Sequence, residues 1–312
     1  MEHKPLLMGY WHDRFYYRPF SSGSPAYVNL LDIPEEYNVI AVSHGISKQQ
    51  SFDEYVPFRM TEEEYYEQVT QLNLKGRQLL FNLGKPDESW CGAPPERIGD
   101  RIFFLIHGKG FRGICIDLES EIIDSNGNRL DIPAILKYVK DCYTSRNVNF
   151  SIHLAYHYGD LLNGKDGQSP PYLAELEGYY DLVSAKLYYE DILDNVAWFN
   201  DFEDLMGITG DEPTEDFLYY LMDSLANGTR GFAKIPHDKL VLGLPANQGA
   251  THKGHVSDPS AVLNAMERLK QSGTPIRGLS AYSINWDAGK KKDGQPYSYE
   301  FIKRYKDILK PT

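Results

Sequence analysis

Asp117 and Glu119 are the residues of this 312-residue chain whose types and spacing could do chemistry. They close the run Gly113-Ile114-Cys115-Ile116-Asp117-Leu118-Glu119. Side chains two apart in a strand point the same way. Cys115, Asp117 and Glu119 therefore share one face, and Ile114, Ile116 and Leu118 share the other. Two carboxyl groups held that close repel each other, so one proton is readily retained between them. A retained proton is what a general acid needs. In an isolated stretch, a carboxylate pair at a strand end is more often a solvated or salt-bridged rim, so the surrounding elements must decide.

Those elements alternate. Apolar runs predict strands over Leu6–Trp11, Asn38–Gly45, Gln78–Gly84, Gly113–Glu119, Phe150–Tyr156, Leu182–Tyr189, Lys239–Ala246 and Gly278–Asp287. Helical patterns fall between them over Thr61–Lys75, Pro95–His107, Ile132–Arg146, Tyr172–Tyr179, Thr214–Asn227 and Pro259–Gln271, with a last one over Tyr299–Leu309. Thr61 followed by Glu64 is a capping box, Asp131 caps a helix with an early Pro133, and Gly273 stops another. Eight strands alternating with helices predict a (β/α)8 TIM barrel, read as one domain over 1–312. A strand with an apolar outer face and acids at its exit fits such a closed parallel barrel better than a half-wet antiparallel sheet. The first connection, Asp13–Tyr37, shows no convincing long helix. Gly159–Pro171 and Asp201–Pro213 read as long polar loops after strands five and six, on the side where a barrel keeps its site.

Composition narrows the partners. A net charge of −12 without a dense Lys/Arg tract disfavours nucleic acid and anionic membranes. Neutral sugars fit better, and 23 Tyr would suit stacking on sugar faces. Cys91, Cys115 and Cys142 are too few and too irregular for a disulfide framework or a zinc site. His12, His153 and His157 lack companion ligands at diagnostic spacing and read as structural or rim residues. No metal, nucleotide or flavin cofactor is implied, because neither a P-loop nor a dinucleotide fingerprint is present. The start, Met1-Glu2-His3-Lys4-Pro5, lacks a long apolar signal core, and no apolar run reaches membrane-spanning length. The compartment is left open, with cytoplasmic residence the default and signal-independent secretion or a trimmed chain the alternatives.

The order of local motifs resembles the family 18 glycoside hydrolases, the chitinases and endo-β-N-acetylglucosaminidases, over nearly the whole chain. Met8-Gly9-Tyr10-Trp11-His12 resembles the family's first strand, and Ala26-Tyr27-Val28-Asn29-Leu30 with Ile33-Pro34 the segment after it. Asn38–Ser43 resembles the second strand, Lys239–Ala246 the seventh and Ser283-Ile284-Asn285-Trp286-Asp287 the eighth. Against the family's fourth-strand D-G-x-D-x-D-x-E, this chain keeps Asp117 and Glu119 but has Arg112 and Cys115 at the first two Asp positions. Asn82-Leu83-Gly84-Lys85 stands for S-x-G-G, and Lys186-Leu187-Tyr188-Tyr189 for the sixth-strand motif, keeping Tyr188. Tyr282 takes the place of the eighth-strand Trp that floors the sugar.

The resemblance implies retaining hydrolysis in which the substrate's own 2-acetamido oxygen is the nucleophile. Glu119 would be the acid and then the base, Asp117 would hold the acetamido N–H, and Tyr188 would donate to its carbonyl. Tyr10, Asn82, Lys186, Tyr189 and Tyr282 would line the sugar, a glycan containing N-acetylglucosamine. The departures leave alternatives open. A neutral Cys115 thiol cannot supply the charge of a second buried acid. An inward Lys186 ammonium favours ionised carboxylates, which opposes the protonated form an acid needs. Lys186 could pair with Asp117, or meet a carboxylate or sulfate on the glycan. The competing function is a catalytically silent sugar-binding or protein-interaction module on the same barrel; a protein partner is not readable from the sequence.

Overall fold

Eight parallel strands close on themselves. They are β1 (Leu6–His12), β2 (Val39–Ser43), β3 (Gln78–Asn82), β4 (Gly113–Asp117), β5 (Ser151–His157), β6 (Leu182–Lys186), β7 (Leu240–Pro245) and β8 (Gly278–Tyr282). Each pairs with its neighbours in sequence, and β8 pairs back onto β1 to seal a (β/α)8 barrel. The computed structural model describes residues 5–14, 23–43, 57–86, 88–118, 120–163, 168–188, 198–199, 205–206, 213–251 and 254–310. The connecting helices are α1 (Glu62–Leu74), α2 (Pro95–Ile106), α3 (Ile132–Thr144), α4 (Glu215–Asn227) and α5 (Pro259–Gln271), followed by the short α6 (Ile284–Asp287) and α7 (Glu300–Tyr305).

The two-residue period of the strands builds two cores. Leu7, Trp11, Ile40, Val42, Ile114 and Ile116 point outward into the layer between strands and helices. Met8, Tyr10, Ala41, Leu80, Cys115 and Ala155 fill the barrel interior. Each fully buried large apolar side chain contributes roughly 1.5–3 kcal/mol, so a one-residue slip of any strand would exchange the two sets and is strongly opposed. Close approach is needed where β4 meets β5. A Cβ on Gly113 would lie 2.3 Å from the Ser151 carbonyl oxygen, so the glycine lets the strands pair.

The helix boundaries follow their caps. The Thr61 hydroxyl accepts from the Glu64 N–H, and Glu64 reaches back to the Thr61 N–H at 2.8 Å, completing the capping box of α1. Asp131 accepts from the Ala134 N–H at 3.0 Å ahead of Pro133 in α3. Gly273, with φ of +81°, follows the end of α5.

Several predicted elements differ; the last helix, expected over Tyr299–Leu309, is α-helical only over Glu300–Tyr305 and continues as a 3-10 turn at Lys306–Leu309. The last barrel strand ends at Tyr282 instead of Asp287, because Ser283 accepts from the Trp286 N–H and starts α6. The helix expected over Tyr172–Tyr179 is only a 3-10 turn at Ala174–Leu176. Tyr172 and Gly178 hold positive φ at either side of it, and Pro170 and Pro171 lie just ahead. β6 ends at Lys186, before Tyr188. In the first connection the described residues hold only the strand Gly23–Ser24 and a 3-10 turn at Leu30–Asp32. The expected loop after strand five begins as the 3-10 turn Tyr158–Leu161. Most of the one after strand six lies outside the described residues, which there form an antiparallel ladder between 198–199 and 205–206.

Candidate active site

The C-terminal ends of the strands set the site. Register aligns His12 with Ser43 and Ser43 with Asn82, and, across the barrel, His157 with Lys186 and Pro245 with Tyr282. Asp117 leaves β4 between β3 and β5. Its N–H donates to the Gly84 carbonyl at 2.9 Å, and the next N–H, of Leu118, donates to Ala155 at 2.9 Å. The backbone is thus held on both sides as the side chain turns inward above Cys115.

Asp117 and Lys186 meet there. The Lys186 Nζ donates to Asp117 Oδ1 at 2.8 Å, with the lysine side chain 3% exposed and the aspartate 25%. The second carboxylate oxygen, Oδ2, has no hydrogen-bond partner among the described residues. The lysine reaches across β5 from β6, and on its other side Gly243 of β7 lies against its backbone, where an added Cβ would sit 3.2 Å from the Lys186 Cα.

Beneath the carboxylate, the Cys115 sulfur lies 3.6 Å from the Tyr10 hydroxyl. Burial, then the nearby Asp117 charge, pushes the thiol well up, so it is neutral. The Tyr10 phenol is pushed up first by burial and then by Cys115, Tyr188 and Asp117. Burial lowers His153 to about 3 and His12 to about 4, against the opposing pull of Asp117 on each. His153 Nε2 is 2.8 Å from the Ser184 hydroxyl inside the barrel, so it is structural. His12 is a rim residue, its ring edge-on to Tyr282 with centroids 5.7 Å apart.

Tyr188 and Tyr282 stack face to face, with centroids 4.8 Å apart and planes 15° from parallel. Tyr10 lies against the same Tyr282 ring at 6.5 Å. Asn82 is engaged by protein: its Nδ2 donates to the Ser43 hydroxyl at 2.5 Å, and its Oδ1 accepts from the Gly84 N–H at 3.0 Å. It fastens the turn that receives the Asp117 N–H. Tyr10, Asp117, Lys186, Tyr188 and Tyr282 therefore converge at one end of the barrel, with Asn82 at its wall. Glu119 and Tyr189 lie outside the described residues. The Cys115–Tyr10 contact and the His12–Tyr282 contact were not anticipated. The alternation of Met8, Tyr10 and His12 along β1 was the available signal for both.

The barrel's opposite end holds a hollow of about 500 Å³ beside Gln78, Arg112 and Ser151. Gln78 Nε2 donates to Ser151 Oγ at 2.8 Å, and Arg77 is tied to the carbonyls of Ile33, Pro34 and Tyr37. It is the wrong end for Asp117, and Arg77, Gln78 and Ser151 there bond to other protein groups.

No family model matches the chain. A protein named chitinase from Enterococcus faecalis is 35% identical over 318 aligned positions, spanning 98% of this chain and 88% of that protein. Chitinase Chi52 of Paenibacillus xylanexedens is 26% identical, spanning 90% of this chain and 58% of that protein. Among solved structures, a GH18 chitinase from Pseudoalteromonas aurantia superposes with a TM-score of 0.65 at 14% identity, covering 97% of this chain and 99% of that one. A GH18 chitinase from Cycas revoluta in complex with allosamidin gives 0.59 at 11% identity, covering 98% and 100%. The two structural likenesses bear on the fold, while the identity and span shared with the Enterococcus protein bear on kinship: this chain belongs to the family 18 glycoside hydrolases and is a chitinase-like hydrolase.

Proposed function

We propose that this chain hydrolyses β-1,4 linkages in glycans containing N-acetylglucosamine, in chitin oligomers or in the core of N-linked glycans, by a substrate-assisted retaining reaction. The observation that carries the reading is Asp117 at the barrel mouth, with Oδ1 held by Lys186 and Oδ2 without a partner among the described residues. That oxygen would accept the acetamido N–H of a sugar resting on the tyrosine cluster. Kinship with a chitinase supports the same substrate class.

The roles then follow from charge and proton flow. Glu119 gives its proton to the glycosidic oxygen as the C1–O bond breaks. The acetamido carbonyl oxygen forms the new bond to C1, giving a cyclic oxazolinium ion. Asp117 accepts the N–H and offsets the positive charge developing there. Tyr188 donates to the acetamido oxygen and holds it in line before attack. Water next adds to C1 from the face the leaving group vacated, Glu119 takes its proton, and the ring opens with the original configuration. Tyr282 offers an apolar ring beneath the sugar, and Tyr10 and Asn82 form the adjoining wall. Tyr189, next to Tyr188 in sequence, would narrow it.

The test is release of fluorophore from a chitobioside. Glu119→Gln should lower kcat by about 10²–10⁴-fold; unchanged turnover removes Glu119 from the mechanism. Measurable affinity for the glycan with no product from the unaltered protein over long incubation would replace the hydrolase with a binding module.

A further inference from the structure

We propose that Lys186 is a positioning residue, whose ammonium clamps Oδ1 of Asp117 and so presents Oδ2 to the acetamido nitrogen of the substrate. The inference rests on the reading above for its effect on rate, but the clamp can be measured without turnover.

The geometry supplies the reason a clamp is needed. An aspartate at a strand exit can turn toward the sugar or down toward the barrel interior, and something must choose between them. Beneath Asp117 lies Cys115, whose sulfur is occupied 3.6 Å from the Tyr10 hydroxyl. A neutral thiol is a weak donor and holds a carboxylate poorly. The strong donor comes from the side instead. Lys186 is 3% exposed and meets Oδ1 at 2.8 Å, within the range of a charge-assisted hydrogen bond. Gly243 on the neighbouring strand lets the Lys186 backbone approach closely, since an added Cβ would sit 3.2 Å from the Lys186 Cα. Burial removes competing water from the ammonium, so the carboxylate has one favoured orientation.

An opposing effect has the other sign. The ammonium also weakens the field that Asp117 exerts on a positive oxazolinium. Distance decides between them: Oδ2 would contact the acetamido N–H on the order of 3 Å away, while the ammonium, behind Oδ1, would be roughly 5 Å away. Attraction to the nearer carboxylate dominates, and fixing its orientation adds to it. Lys186 therefore assists the site on balance, and its removal should harm it.

A chitobiose thiazoline, which mimics the oxazolinium, serves as the probe in calorimetric titrations. Lys186→Met should weaken its binding about tenfold or more, and Lys186→Arg, which keeps the charge, should recover part of that loss. In an Asp117→Asn background, Lys186→Met should have little further effect, because the two side chains act as a unit. With chitobioside, Lys186→Met should lower kcat by about tenfold or more and change KM by less than about threefold. Binding that is unchanged or tighter in Lys186→Met, or losses that multiply independently in the double variant, would overturn the clamp. Coupled thiazoline binding in a protein that turns over no chitobioside would support the clamp and sink the hydrolase reading alone.

Discussion

The unequal exposure of Lys186 and Asp117 decides what removing each one does to stability. Asp117→Ala takes a carboxylate partner away from a 3%-exposed ammonium, the costly side on which to weaken a pair. It should destabilise the protein by about 3 kcal/mol in urea melts, at the low end of the range for buried pairs because the aspartate side is partly wet. Lys186→Met leaves the carboxylate where water reaches it and fills the buried space with apolar volume, so its melt should shift far less. Equal losses for the two substitutions would mean that the pair shares its burial evenly. Sequence alone showed that Asp117 faces inward, because alternation with Ile114, Ile116 and Leu118 leaves no other arrangement. It could not choose the partner of Lys186. That depends on the register of three strands, which local pattern does not encode.

Elements were legible where their ends carry chemistry and obscure where tertiary contacts end them. Thr61 and Asp131 announced their helices through side-chain oxygens that satisfy free N–H groups. The end of β8 was missed because Ser283-Ile284-Asn285-Trp286-Asp287 is as apolar as a strand, although Ser283 caps a turn of helix. That turn delivers Asp287 into the packing between α6 and α7. Its carboxylate accepts from the Tyr37 hydroxyl at 2.7 Å and from the Phe301 N–H at 2.8 Å. Burial nevertheless dominates these bonds and pushes the acid up to about 7. An unfolded aspartate ionises near 3.9. As pH rises from about 4 to about 7 the unfolded chain loses this proton first, so it binds fewer protons than the folded one and stability falls. Asp287→Asn should flatten that decline in melts across the interval; an unchanged slope would assign it to other groups.

At the scale of the whole molecule the barrel was the most legible feature. Eight apolar runs separated by helical periods leave few other topologies, and right-handed parallel connections close them. The first connection was the exception in prediction, and in the structure its described part holds no α-helix; the described part of the β5–β6 connection, where a helix was expected, holds only 3-10 turns. What the fold could not convey is whether the site departs from its relatives in rate or in ligand, because both are decided by a few side chains on a shared frame. The tyrosine stack and the lysine clamp belong to that layer of detail.

The three cysteines divide by depth: Cys91 and Cys142 are half-buried, and Cys115 is sealed inside the cylinder. Burial keeps its sulfur protonated, so an alkylating reagent finds neither access nor a nucleophile there. In native buffer, mass spectrometry should register two adducts at most. A third should accumulate in step with urea-induced opening, making Cys115 a clock for how often the cylinder comes apart; rapid labelling of all three in the folded protein would show that its staves part without global unfolding.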